Sequence, residues 1–427
     1  MKKIVAWMLA VGMLLSGGTK VRAGELQVDA VSGTTLILQE NSEAKMQESD
    51  SEASQSSGAS EPAAAQDAVE LVSPHAAVME VSTGQILYEK GADEKAHPAS
   101  VTKVMTTLLI FEALEEGNLT LDQEVSTSAH AKSMGGSQVF LEEGEIQTVE
   151  TLLKCIIIAS GNDAAVAMAE QIGGTEEAFV ARMNEKAKSL GMSNTHFVDC
   201  CGLTDSTDHY TTARDVAIMS RELLHRFPQV VEYSNIWMED ITHVTNRGSS
   251  VFTLSNTNKL LRAYDGCDGL KTGSTSLAKF CLSATARRNG IRLVSVIMTS
   301  PDSKTRFAEA GKLLSYGFSR CSLYEDEEME PLGELAVQGG VEDTVKVKYQ
   351  SGFSYLSTTG EDFSAISRRI ELEQEVRAPL ALEQQVGACI YTIGEKEIGR
   401  VAIVTEAAVE KAGYLDWLDE LWSCWLL

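Results

Sequence analysis

The chain lacks a surplus of positive charge, any histidine or cysteine cluster at metal-ligand spacing, and a leading apolar run long enough to cross a bilayer. Each absence excludes something. With 36 Lys and Arg against 61 Asp and Glu, the net charge is −25, the wrong sign for a nucleic-acid partner, which would select a basic face. Eight cysteines are present, but none form a Cys-x-x-Cys pair, so neither a zinc site nor a redox motif of that kind is written here. No metal or cofactor is expected. Cys155 and Cys281 lie in apolar runs, and Cys200 and Cys201 are adjacent. Such placement suits buried free thiols better than a disulfide framework. Residues 4–15 are apolar, well short of the roughly 20 residues that span a membrane as a helix. Lys2 and Lys3 precede that run and Val21-Arg22-Ala23 follows it, so residues 1–23 read as a secretory signal and predict export. No cysteine stands just after the run to carry a lipid.

What is present suits a two-domain protein with tails: 427 residues, 44% of them hydrophobic, on a prior of roughly 100–200 residues per domain. Residues 24–70 form a spacer rich in Ser, Ala, Glu and Gln, with too little to bury, and are expected to be disordered. A first domain is expected over residues 71–321. It opens on two strands around Ser82-Thr83-Gly84, continues through apolar helices, and returns to strands on either side of Asn289-Gly290, a strong hairpin signal. Helices inserted between hairpin-connected strands imply an antiparallel sheet flanked by helices, an α/β arrangement that is not doubly wound. From residue 322 to 408 short alternating segments such as Val345-Lys346-Val347-Lys348-Tyr349 imply a small all-β domain. Residues 409–427 are expected to form an amphipathic helix. Its segment from Tyr414 to Leu427 carries Trp417, Trp422 and Trp425 and is a candidate in-plane membrane anchor, because indoles favour the interface.

Three motifs carry chemistry. Ser-x-x-Lys occurs three times, at Ser42, Ser100 and Ser276, and only Ser100-Val101-Thr102-Lys103 opens an apolar helix. There, residues three apart share a face, so the Lys103 amine can reach the Ser100 hydroxyl. Ser160-Gly161-Asn162 is the one Ser-x-Asn in the chain, and Lys271-Thr272-Gly273 the one Lys-Thr-Gly. Together they supply a nucleophile, an amine base, a second hydroxyl, an amide and a cation for an anionic substrate. That set suits acyl transfer to serine without a catalytic histidine.

The motif set is that of β-lactamases and penicillin-binding proteins. Pro98-Ala99-Ser100-Val101-Thr102-Lys103, Ser160-Gly161-Asn162-Asp163-Ala164-Ala165, His209-Tyr210-Thr211-Thr212-Ala213 and Asp268-Gly269-Leu270-Lys271-Thr272-Gly273-Ser274 resemble the low-molecular-mass penicillin-binding proteins that are serine-type D-alanyl-D-alanine carboxypeptidases. Arg377-Ala378-Pro379-Leu380 and Gln385-Val386-Gly387 resemble that family's C-terminal β domain. The resemblance implies a β-lactamase/transpeptidase-like catalytic domain followed by a small all-β domain. It implies removal of the terminal D-alanine from peptidoglycan stem peptides at the outer face of the cytoplasmic membrane or the cell wall, with β-lactams as covalent inhibitors. Position by position it makes Ser100 the nucleophile, Lys103 its base and Ser160 a proton relay. Asn162 would bind the substrate amide, and Lys271 and Thr272, with Gly273 and Ser274 beside them, the terminal carboxylate. The Ser100 and Ser274 N–H groups would form the oxyanion hole. A neutral Lys103 requires a pKa lowered by burial or by neighbouring Lys271.

Two departures stand out. Asp199-Cys200-Cys201 precedes Gly202-Leu203 where the family usually has an Asn-Pro-His-like sequence, a change that bears on substrate preference, and Lys279-Phe280 stands where Gly-Tyr is more common. A class A β-lactamase needs a Glu four residues before an Asn, and none lies between Asn162 and Lys271. A transpeptidase with the same nucleophile and a catalytically inactive wall-binding scaffold are the other readings.

Overall fold

The structure, a computed structural model, describes residues 69–416 except Glu327, together with Leu418. The signal segment, nearly all of the acidic spacer and the tryptophans of the terminal segment lie outside the described residues. A five-stranded sheet organises the first domain. Its spatial order is Ile86–Lys90, His75–Glu80, Ile291–Ser300, Lys279–Arg288 and Cys267–Thr275, and every neighbouring pair is antiparallel. Asn289 at φ 48° and Gly290 at φ 78° turn the central hairpin, the two positive values that a tight two-residue connection needs.

Strand periodicity decides where the cores lie. Every residue of His75–Glu80 is buried, because alternate side chains enter different cores. Ala77 and Met79 join the core beneath the helical lobe, whereas Ala76 and Val78 pack toward helix Ser303–Arg320 through Leu313 and Leu314. The lobe surrounds helix Lys103–Glu115, in which every residue from Lys103 to Ala113 is buried, as expected of a helix enclosed on all sides. Thr148, Thr175, Thr212 and Asp302 cap the helices that follow them with side-chain oxygens, each worth about 1 kcal/mol.

Two local features depart from a plain helical reading. The helix that Ser100 heads begins as a 3₁₀ turn over Ala99–Thr102, with Ala99 in the left-handed region at φ 48°. Close packing forces this turn: a Cβ at Gly202 would lie 1.8 Å from the Ala99 carbonyl oxygen, and one at Gly273 would lie 2.7 Å from that of Pro98. The apolar run around the second motif is two helices, Val149–Ile157 and Asn162–Gly173, separated by Ser160 at φ 63°.

Beyond Cys321 the chain is all strand apart from one short 3₁₀ turn, among the described residues up to Thr405. Six strands pair in the order Ile366–Leu372, Gln385–Ile393, Lys396–Thr405, Thr344–Tyr349, Glu334–Gln338 and Glu375–Arg377. The last pair is parallel. A two-stranded ribbon, Ser322–Asp326 with Phe353–Ser357, packs beside them. Phe353 stacks on fully buried Tyr391 at 3.6 Å, and the Tyr391 hydroxyl donates to Asp326 at 2.8 Å. This module touches the first domain where Thr358 donates to the Gln85 side chain at 2.6 Å, and where Leu323 closes on Gly290. No helix among the described residues is long and apolar enough to cross a membrane. The seven described cysteines are buried and unpaired.

Tyr391 joins the ring stack to the Asp326 hydrogen bond, so Tyr391→Ala is expected to destabilise the β domain by about 3–5 kcal/mol. Denaturant unfolding followed by tyrosine fluorescence measures this, and a loss below about 1 kcal/mol contradicts the packing described.

Candidate active site

The sheet edge, the buried helix and the turn before Asn162–Gly173 meet at Ser100. The 3₁₀ turn followed by helix sets residues 100 and 103 on one face, and Lys103 Nζ donates to Ser100 Oγ at 3.0 Å. The same amine donates to Asn162 Oδ1 at 2.6 Å and to the Cys201 carbonyl at 2.9 Å. Lys103 is fully buried, whereas Ser100 is half-buried and reachable from solvent. Three acceptors therefore fix the amine beneath the accessible Ser100 hydroxyl.

Asn162 is held on its other side too. Its Nδ2 donates to the Gly135 carbonyl at 2.7 Å, and its backbone N–H donates to Ser137 O at 2.8 Å. Asp163, also buried, accepts from the Val139 and Leu141 amides at 3.1–3.2 Å, so residues 135–141 run along the second motif. Ser160 Oγ is buried with no hydrogen-bond partner.

On the opposite wall, strand Cys267–Thr275 brings Lys271, Thr272, Gly273 and Ser274 alongside the 3₁₀ turn. The absent side chain of Gly273 makes this approach feasible, since a Cβ there would lie 3.1 Å from the Ser100 nitrogen. Lys271 is buried and donates to the Thr272 carbonyl at 3.0 Å, Thr272 Oγ1 meets Thr257 Oγ1 at 2.6 Å, and Ser274 is exposed. Behind the strand, buried Arg306 donates to the Gly273 and Cys281 carbonyls at 3.0 Å each.

The electrostatics follow from burial. Lys103, Lys271 and Arg306 all meet neutral oxygens rather than carboxylates. Burial pushes the Lys103 pKa below the ordinary 10.5, against the raising pull of Cys201, Cys200, Asp199 and Asp163. Lys271 is pushed well below 10.5, first by burial and then by the charges of Lys103 and Arg306. Burial brings Arg306 to about 10. Of the two causes the sequence offered for a neutral Lys103, burial is the one at work; the repulsion between the lysines appears on Lys271. Such a site has a buried amine, an accessible hydroxyl and a second buried lysine that meets a carbonyl rather than a carboxylate. It is chemically equipped for attack on a carbonyl next to a carboxylate.

Residues 60–302 match the family model described as D-alanyl-D-alanine carboxypeptidase, and residues 318–411 that of the penicillin-binding protein 5 C-terminal domain. The chain belongs to the D-alanyl-D-alanine carboxypeptidase family. It is 38% identical over 354 residues to the D-alanyl-D-alanine carboxypeptidase DacF of Bacillus subtilis, covering 82% of this chain and 89% of that one. Crystal structures of penicillin-binding protein 5 from Haemophilus influenzae are 30% identical with a TM-score of 0.60, over 83% of this chain and 100% of that one. Penicillin-binding protein D2 of Listeria monocytogenes, solved in an ampicillin-bound form, is 32% identical with a TM-score of 0.52, over 59% of this chain and 100% of that one. This carboxypeptidase is thus a serine-type peptidase on the penicillin-binding protein fold.

Of the residues singled out in the sequence, Ser100, Lys103 and Asn162 are joined by hydrogen bonds, and Gly273 abuts Ser100. Ser160, Lys271, Thr272 and Ser274 are placed beside them by the backbone, without a side-chain bond to Ser100 or Lys103. The sequence linked loop 199–203 to substrate preference, and the structure sets it beneath the Lys103 amine. Cys201 O receives Lys103, Cys200 O receives Thr106, and Asp199 accepts the Cys201, Gly202 and Thr204 amides. Gly135 and Ser137 were also missed, because backbone carbonyls carry no residue signature, and so were the Asp163 and Arg306 side chains, whose partners are amides and carbonyls that the fold alone brings to them. The glycine at 202, at φ 78°, was the readable trace of that loop.

A lysine whose folded pKa lies below its unfolded value leaves the unfolded chain binding more protons between the two, so its contribution to stability rises with pH across that window. For Lys271 the window runs from its lowered value up to the ordinary 10.5. Lys271→Met is therefore expected to raise Tm at pH 7, with the advantage over the parent shrinking toward pH 10. Thermal melts at three pH values decide it, and a lower Tm at pH 7 contradicts the assignment.

Proposed function

We propose that this carboxypeptidase works through an acyl-enzyme on Ser100. Lys103, as the neutral amine, takes the Ser100 proton as Oγ attacks the carbonyl of the penultimate D-alanine. Lys103 returns that proton through the Ser160 hydroxyl to the departing D-alanine nitrogen, the peptide bond breaks, and an ester remains on Ser100. Water then attacks that ester, giving up a proton to the again neutral Lys103, which hands it to Ser100 Oγ as the shortened peptide leaves. Asn162 holds the substrate amide, and Lys271 and Thr272 hold the terminal carboxylate with Gly273 and Ser274 beside it. The Ser100 and Ser274 N–H groups stabilise the oxyanion, at about 3 kcal/mol per donor.

The observation that carries this reading is the Lys103 amine, fully buried among neutral acceptors and 3.0 Å from Ser100 Oγ. Burial favours the uncharged form that a base requires. The buried Ser160 hydroxyl has no hydrogen-bond partner in the protein and so is free to bond a substrate group, which supports the relay. The likeness to the ampicillin-bound Listeria protein supports β-lactams as acylating inhibitors of this chain. The substrate class is peptidoglycan stem peptides, met after export across the cytoplasmic membrane. The basic and apolar leader at residues 1–23 supports that route, and the tryptophans between 414 and 427 support contact with the outer face of the cytoplasmic membrane.

The purified protein is expected to release D-alanine from diacetyl-L-lysyl-D-alanyl-D-alanine, with Ser100→Ala losing about 10⁴-fold or more in kcat. Mass spectrometry is expected to find benzylpenicillin attached to Ser100. Absence of free D-alanine from the intact enzyme would sink the hydrolytic reading, and rapid turnover of penicillin would turn it into a β-lactamase. Lys103→Arg, whose guanidinium stays charged, is expected to abolish acylation across pH 6–10.

A further inference from the structure

Phe140 is the least expected side chain near the site. It is 65% exposed, although its neighbours Val139 and Leu141 are buried. Its backbone lies at φ 63°, a region that bulky residues avoid and that glycine adopts freely. A strained backbone that holds a large aromatic ring mostly outside the core is favoured neither by core burial nor by local preference. Such outliers concentrate where a ligand is met.

The surroundings fix Phe140 in that position. The Asp163 carboxylate grips the amides on both sides of it, and Asp163 follows Asn162 directly. A Cβ on Gly161 would lie 3.4 Å from Val139 Cγ1, so this short segment is laid flat against the second motif. Across from it, the Phe140 ring stands edge-on to Phe252 at 5.9 Å. Phe252 belongs to the hairpin Met238–Thr245 and Gly248–Ser255, and is itself edge-on to His243 at 5.8 Å. His243 Nδ1 meets Glu145 Oε1 at 2.7 Å, and Gln147 donates to Thr242 O at 2.9 Å, so loop and hairpin are tied together. Just past the hairpin, Thr257 reaches Thr272 of the carboxylate wall. Phe140 and Phe252 therefore link the Asn162 wall to the Lys271 wall.

We propose that Phe140, backed by Phe252, is a specificity-determining residue that receives the apolar part of the acyl-donor side chain, on the amino-terminal side of the bond being cleaved. The proposal rests on the Ser100 reading above. With the terminal carboxylate held at Lys271 and Thr272 and the reacting carbonyl at Ser100, the acyl portion leaves along the Asn162 wall, where residues 135–141 lie. Its ligand chemistry is an aliphatic or aromatic acyl substituent. A stem-peptide side chain or the side chain of a β-lactam supplies it.

The test compares donors with and without that group. For β-lactams the pair is benzylpenicillin and 6-aminopenicillanic acid, which lacks the acyl side chain; for peptides, it is diacetyl-L-lysyl- and acetylglycyl-D-alanyl-D-alanine. Phe140→Ala and Phe140→Gly are expected to reduce the benzylpenicillin to 6-aminopenicillanic acid ratio of Ser100 acylation rates about 10-fold. The lysyl to glycyl ratio of kcat/KM is expected to fall likewise, and Phe140→Tyr to restore both. Phe140→Gly is further expected to melt no lower than Phe140→Ala, since glycine takes the left-handed backbone without strain. A fall in one ratio alone assigns the contact to that source. Equal losses with both members of each pair, or unchanged ratios, overturn the proposal. Failure of the parent enzyme to acylate with either penicillin, and to release D-alanine, would instead overturn the Ser100 reading.

Discussion

The site depends on one amine kept dry. Lys103 is the first residue of a helix buried on every side, and three neutral oxygens meet its nitrogen. Paired with a carboxylate, the same lysine would hold its proton and could not take another. Left in water, it would titrate as an ordinary lysine. Desolvation with neutral acceptors lies between those outcomes, and much of the fold serves to maintain it. Eleven consecutive residues of the helix are buried around it, the second motif supplies Asn162, and loop 199–203 supplies a carbonyl from below.

That loop is positioned by backbone rather than by side chains. Asp199 gathers three amides, and Gly202 presses its Cα against Ala99 with no room for a methyl group. Gly273 does the same from the sheet. Segments far apart in sequence thus converge on a 3₁₀ turn of four residues, and the left-handed Ala99 records the compression. Strain of this kind, about 1–3 kcal/mol per residue, persists because the surrounding packing leaves the turn no alternative.

How much of this was legible depends on the range of the signal. The Ser100–Lys103 relation is local, three residues along one turn, and could be read directly. So could the Asn289-Gly290 hairpin and the apolar helical run around Ser160, whose turn residues and periodicity lie within a few residues, though not its division into two helices. The Cys200 and Cys201 carbonyls could not, since any residue offers a carbonyl and the fold alone aims it. The parallel pairing of Glu334–Gln338 with Glu375–Arg377 was equally hidden, because nothing local distinguishes a parallel partner from an antiparallel one. The left-handed Ser160, Phe140 and Ala99 belong with these, for their residue types give no hint of positive φ.

The sheet's strand order also has a mechanical meaning. The β domain touches the catalytic domain at Gln85, beside the edge strand Ile86–Lys90, and at Gly290 in the central hairpin, whereas Lys271 to Ser274 belong to the opposite edge. Five strands at their usual spacing put roughly 20 Å of sheet between the Gln85 contact and that edge. The sheet is therefore a strut as well as a core. The cleft stands off from the Gln85 contact by the width of that sheet.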